Sequence, residues 1–131
     1  LNGLEPKMSF LAADVFELLP RLCEEKAKYD LVILDPPAFT KSRRTIRSAE
    51  RGYREINYRA MRLLPRGGYL ATCSCSHFMD SANFEYMLHN AAKDANVKLR
   101  EVEVRKQAPD HPVLWNVPET SYLKFYIFQI V

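Results

Sequence analysis

The 131 residues suit one compact domain, and a chain that is 47% hydrophobic and 27% charged has the composition of an ordinary globular protein, which excludes disorder and collagen-like order. No apolar run approaches the ~20 residues that a membrane-spanning helix needs, and the first seven residues lack the basic-then-apolar pattern of a signal peptide, so a cytoplasmic location is expected. The net charge of +3 conceals an asymmetry: residues 41–66 hold nine basic side chains against Glu50 and Glu55, and the rest of the chain is net negative.

In chain order, residues 8–12 (Met-Ser-Phe-Leu-Ala) read as a short strand, and residues 15–22 continue with apolar side chains at helical spacing, with Asp14 at the junction. Residues 29–34 form a near-continuous apolar run rich in branched side chains, the pattern of a strand buried on both faces of a parallel sheet. Asp35-Pro36-Pro37 stops it. Residues 48–64 place Tyr53, Ile56, Tyr58, Met61 and Leu64 along an amphipathic helix with Ser48 as N-cap, and Pro65-Arg66-Gly67-Gly68 ends it. A buried strand follows at 69–74 and a helix at 81–95, where Phe84, Met87, Leu88, Ala91 and Ala92 share one face. Strands at 98–106 and 122–131 close the chain around the Pro-rich loop 107–112, and Val102 and Val104 alternating with charged residues give the first of them a solvent face.

The resulting order, β-α-β-α-β-α-β-β, predicts an α/β fold: an open sheet, mostly parallel, with an antiparallel pair of strands at its end. Ligands of such sheets bind beyond the carboxyl ends of the strands. Three polar features fall there: Asp14, the Asp35-Pro36-Pro37 loop, and Thr72-Cys73-Ser74-Cys75-Ser76. The two prolines fix φ and stiffen the turn, so that Phe39 at its tip could hold a planar base or serve simply as core. Polar residues directly after a buried strand are costly unless they pair or act. A cysteine there is a candidate nucleophile if nearby positive charge or a helix N-terminus favours its thiolate, and the helix beginning near Ser81 and the Arg-rich segment could supply both.

The three cysteines, Cys23, Cys73 and Cys75, make neither an even disulfide set nor a Cys-x-x-Cys pair, and His77, His89 and His111 are scattered, so no metal site is expected. Cys23 reads as a small hydrophobe on its helix. The basic residues of 41–66 are mostly Arg, whose guanidinium pairs bidentately with phosphate; they suit a polyanionic partner or, equally, a solvated helix face.

Four blocks carry a resemblance. Leu34-Asp35-Pro36-Pro37-Ala38-Phe39-Thr40-Lys41-Ser42, the run Gly67-Gly68 through Ser76, Gln107-Ala108-Pro109-Asp110-His111-Pro112, and Pro118-Glu119-Thr120-Ser121-Tyr122-Leu123-Lys124 resemble consecutive motifs of the large-subunit ribosomal RNA cytosine-C5 methyltransferases. The resemblance implies the C-terminal portion of a Rossmann-like class I methyltransferase domain, S-adenosylmethionine as cofactor and ribosomal RNA as partner, with a homodimer possible in the parent enzyme. It implies that Cys73 attacks C6 of the cytosine, that Asp35 bonds the base edge near N3, and that Cys75 supports the reaction or product release. It further places Asp14 by the adenine amino group of the cofactor, beside Asp35, Pro36 and Pro37, and gives Phe39, Lys41, Arg43 and Arg44 to the substrate.

The departure is at the front, where a complete enzyme of this kind has a Gly-rich turn after its first strand and an acidic residue after its second. Neither is here, since Gly67-Gly68 precedes a strand in the position of a helix-ending turn, so the chain is expected to be a truncated piece of the enzyme. Two other readings stand beside this one. A related guanine-methylating family shares the Asp-Pro-Pro loop but lacks the Thr-Cys-Ser-Cys block, and a non-catalytic RNA-binding module would use only the basic segment.

Overall fold

The computed structural model describes residues 3, 7–39 and 46–131, the side chains of 46 and 47 excepted. Among the described residues three helices, α1 (Val15–Glu24), α2 (Ile46–Leu63) and α3 (Ser81–Ala95), alternate with strands β1 (Leu31–Leu34), β2 (Tyr69–Ser74), β3 (Leu99–Arg105) and β4 (Lys124–Ile130), and a 3-10 turn, Pro118–Thr120, precedes β4. Local chemistry sets several of these limits. Asp14 caps α1 by accepting the Phe16 N–H at 2.7 Å, and Asp80 caps α3 by accepting that of Asn83 at 2.7 Å, each satisfying an N–H that the helix leaves free. Asn96, at φ 55°, ends α3 in the left-handed conformation, and its N–H returns to the carbonyls of Ala92 and Lys93.

The strands form one sheet in the order β1-β2-β4-β3. β1 and β2 are parallel, pairing Leu31 with Tyr69 and Leu34 with Thr72, while β4 runs antiparallel to both of its neighbours. Three of the four strands therefore share a direction, and the reversed one lies inside the sheet. The antiparallel pair expected at the end of the sheet is thus inserted against β2, with β3 as the outer strand.

All three helices contribute to one core on one face of this sheet. Leu19 of α1, Tyr53, Ile56 and Met61 of α2, and Phe84, Met87 and Leu88 of α3 pack with Leu34, Leu70, Tyr126, Phe128 and Ile130 of the strands. β4 alternates with period two, burying Lys124, Tyr126, Phe128 and Ile130 and leaving the residues between them half-exposed. On the opposite face Leu31, Ile33 and Tyr69 are exposed, so β1 is covered on one side only and not on both as its apolar run suggests.

Two boundaries differ from the sequence reading. Residues 8–12 are not a strand: they have no ladder partner among the described residues, and Phe10 and Leu11 are exposed. Apolar composition suits a strand, but only a neighbour's N–H and C=O groups make one. α2 is already helical at Ile46, which puts Ser48 inside the helix and not at its cap. β3 is largely exposed, Val102 and Val104 included, and a register shift between Glu101 and Glu103 breaks the simple alternation.

Candidate active site at the carboxyl edge of the sheet

β1 and β2 end side by side, because their parallel register puts Leu34 opposite Thr72. The residue after each partner is polar: Asp35 follows Leu34, and Cys73 follows Thr72. The Cys73 thiol donates to Asp35 Oδ1 at 3.1 Å and makes a longer contact of 3.6 Å with the Leu34 carbonyl. Asp35 is exposed while Cys73 is 5% exposed, so a thiol set into the sheet meets a carboxylate open to solvent. Cys75 lies one residue beyond the strand and is half-buried.

The electrostatics run against the expected thiolate. Burial pushes the Cys73 thiol up to about 12, the hydrogen bond and negative charge of Asp35 add to the rise, and Lys124 opposes it only weakly. The α3 terminus does not compensate, since Asp80 occupies it as its cap. Cys73 is therefore a thiol at neutral pH whose proton already points at an acceptor.

A buried scaffold holds the two strand ends together. Tyr53 of α2 is fully buried; Ser74 donates to its hydroxyl at 3.1 Å, and the same hydroxyl is hydrogen-bonded to the backbone of Phe39 in the Asp35 loop. Ser74 Oγ also accepts the Ser76 N–H at 3.3 Å, which fixes the turn after Cys75. Phe39 is half-buried, with its ring 4.6 Å from that of Tyr53 and 5.9 Å from that of Phe16. Its inward packing anchors the loop against α1 and α2 and brings the Asp14 end of α1 beside it.

Lys124 is the residue that the sequence reading passes over. It pairs with Ser74 across the β2–β4 ladder and is 7% exposed, and its Nζ donates to the carbonyls of Ser76 at 2.6 Å and Tyr122 at 2.7 Å. Burial lowers its pKa. The signal was present as a lysine in phase with Tyr126, Phe128 and Ile130, the buried side of an alternating strand. Tyr53 was legible only as a member of the apolar helix face, not as the link between the two strand ends.

The remaining site expectations are placed as follows. Asp14 is exposed, with one carboxylate oxygen engaged as the α1 cap; Pro36 is half-buried and Pro37 exposed beyond Asp35. Lys41, Arg43 and Arg44 lie outside the described residues. On α2, Arg54 pairs with Asp94, Arg59 with Glu55 at 2.8 Å, and Arg62 donates to the Tyr58 hydroxyl at 3.0 Å, so part of the positive charge is matched within the protein. Cys23 is half-buried, in line with its reading as a helix hydrophobe.

The S-adenosylmethionine-dependent methyltransferase family matches residues 1–129. The chain is 43% identical over its whole length to the ribosomal RNA large subunit methyltransferase I of Erwinia tasmaniensis, covering 33% of that protein, and 43% identical over 93% of its length to that of Vibrio campbellii, covering 31%. It thus spans about a third of the length of these curated relatives. Among solved structures it is similar to the methyltransferase SMU.776 complexed with SAH (TM-score 0.76, 19% identity, 90% of this chain and 30% of that one). It is also similar to NSun6 from Pyrococcus horikoshii with SFG (TM-score 0.62, 19% identity, 92% of this chain and 34% of that one). At such identities the likeness is one of fold.

Proposed function

The chain belongs to the S-adenosylmethionine-dependent methyltransferase family, and from that premise we propose that its Cys73–Asp35 pair serves the formation of 5-methylcytosine in large-subunit ribosomal RNA through a covalent adduct. The observation that carries this reading is the 3.1 Å bond from the thiol to the carboxylate, which puts a nucleophile and its proton acceptor at neighbouring strand ends. The names of the relatives support ribosomal RNA as the substrate. Methylating a ring nitrogen of guanine, in contrast, requires no covalent adduct and would leave the buried thiol idle.

A thiol held at about 12 is not ionised beforehand, so attack and proton transfer go together. As Cys73 Sγ bonds to C6 of the cytosine, its proton passes to Asp35 Oδ1, and the electrons of the C5=C6 bond move toward C5 and the N3 side of the ring. The protonated Asp35 can then donate to N3, stabilising the charge that develops there. S-adenosylmethionine supplies the electrophilic methyl group that C5 takes. Water then takes the C5 proton, the electrons of that bond restore C5=C6 as the C6–Sγ bond breaks, and the departing Cys73 sulfur recovers the proton held by Asp35; Cys75 beside the site is assigned to this release.

The described residues fit one side of the cofactor. Phe16 and Phe39 bring the Asp14 end of α1 to the Asp35-Pro36-Pro37 loop, giving exposed carboxylates beside an apolar proline wall. This arrangement suits the amino group and flat face of an adenine. It offers no ring of backbone N–H groups for the methionine end.

The test is a denaturing gel of the full-length protein with 5-fluorocytosine-containing RNA and cofactor, because fluorine at C5 blocks release. A slow-migrating protein–RNA band is expected for wild type, lost in Cys73→Ser and retained at least in part in Cys75→Ser. A band that survives in Cys73→Ser and vanishes in Cys75→Ser would reverse the two roles. Methylation of guanine without any band would remove the cytosine mechanism.

A further inference from the structure

The carboxyl edge of the sheet has a second opening, on the helix-covered side of β4. A cleft of about 250 Å³ lies between the turn after β2, the start of α3, the end of β3 and the segment leading into β4. His77, Asp80, Arg105, Lys106, Lys124 and Tyr126 are its charged or titratable lining, and the Tyr126 hydroxyl is already engaged with Glu85. Asp80 is already committed, with one oxygen on the Asn83 N–H and the other 3.1 Å from the Asn83 side chain. Arg105 and Lys106 are exposed, and Arg105 leans on Glu103 of its own strand.

Lys124 forms the inner wall. Two of its three N–H groups go to backbone carbonyls; the charge of Asp80 acts on it across the cleft without a direct ion pair among the described residues. A buried cation whose direct partners are neutral is costly, and an anion arriving in the cleft would offset more of that cost. The Ser74–Lys124 pairing brings this wall within one ladder position of Cys73, about 5 Å across the strands. Alternation directs Cys73 and Lys124 to opposite faces, so a chain passing over the sheet edge could present one group to each.

We propose that this cleft seats the backbone phosphate of the nucleotide adjacent to the target base, held by Lys124, Arg105 and Lys106, with the base itself on the Cys73 side of the edge. The proposal rests on the reading that the substrate is RNA. Its consequence is that RNA affinity is set partly by the β3–β4 side of the domain, in addition to the basic α2 segment. Arg105 and Lys106 take no part in the chemistry, so their removal weakens binding without altering the reaction of bound RNA.

The test uses full-length protein, a ribosomal RNA fragment with the target cytosine, and the same fragment with one neutral methylphosphonate on either side of that cytosine. Arg105→Ala/Lys106→Ala is expected to lower affinity by roughly tenfold and to reduce the slope of log K against log salt by about 0.7, the value for one single-strand phosphate contact. Cofactor affinity and the rate of adduct formation at saturating RNA should be unchanged, which also shows that the variant is folded. One methylphosphonate should weaken wild type, with a much smaller effect in the double variant, because the contact is already gone. Equal methylphosphonate penalties in both proteins, or an unchanged salt slope, would overturn the phosphate seat while leaving an RNA substrate standing. A wild-type protein that binds no RNA would overturn the RNA reading itself.

Discussion

Asp35→Asn separates two roles of one carboxylate, because it should make Cys73 more reactive as a thiol and less competent as a catalyst. Four influences raise the thiol to about 12: burial first, then the hydrogen bond and the negative charge of Asp35, and last Cys75. The substitution removes the charge, leaves an amide oxygen as a weaker acceptor for the thiol, and leaves burial, so the pKa should fall while staying above its ordinary value of 9.0. At pH 9 a thiol of pKa about 12 is ionised to roughly one part in a thousand, and each unit recovered multiplies that fraction by ~10. Alkylation of Cys73 by iodoacetamide at pH 9, followed by mass spectrometry of its peptide, should therefore accelerate by about an order of magnitude. Adduct formation with 5-fluorocytosine RNA should fall by roughly 10²- to 10⁴-fold, the usual span for a lost general base. Slower alkylation in Asp35→Asn would show that the carboxylate activates the thiol in the ground state, and the coupled proton transfer would be wrong.

Three further outcomes follow from the same geometry. The raised Cys73 pKa means that the folded state holds this proton more tightly than the unfolded chain; the associated stability is full below pH 9 and is lost as pH rises through about 12. Urea unfolding should accordingly show the stability gap between wild type and Cys73→Ala shrinking from pH 8 to pH 11, and a constant gap would contradict it. Thr72 Oγ1 is buried without a hydrogen-bond partner among the described residues, so Thr72→Val should leave stability unchanged or raise it by about 1 kcal/mol in thermal melts, and a clear loss would reveal a partner. The 131-residue chain alone should bind S-adenosylmethionine weakly or not at all in calorimetry, since its described residues offer only the adenine side; micromolar affinity would show that this account of the cofactor site is incomplete.

The parts of the fold that were legible are those whose causes are local. β2 and α3 run over the residues read from pattern alone, because a bounded apolar run and a helical stripe behind a capping Asp depend on few distant neighbours. The parts that were not legible need a partner. Residues 8–12 have the composition of a strand and no ladder to join, and the place of β4 between β2 and β3 is a choice among pairings that no single segment encodes.

The candidate site divides along the same line, and the division bears on the chemistry. Asp35 and Cys73 stand out as polar residues after apolar runs, so their shared edge can be inferred from order alone. Whether the thiol is acidic or basic cannot, since it depends on which charges reach it. The sequence offers nine basic residues between 41 and 66, and a reading by proximity in the chain assigns their field to the cysteine. In the fold three of the α2 arginines are engaged with Asp94, Glu55 or Tyr58, and the acidic group that reaches the thiol comes from a neighbouring strand end 38 residues away. Among the described residues the cation that acts on the thiol, Lys124, arrives from the last strand and acts weakly. Short-range geometry in a poorly screened, buried setting outweighs the charge of the exposed α2 arginines, which are engaged elsewhere. Under the proposed mechanism Cys73 stays protonated until a base is present to receive the attack, which makes its reactivity depend on the substrate.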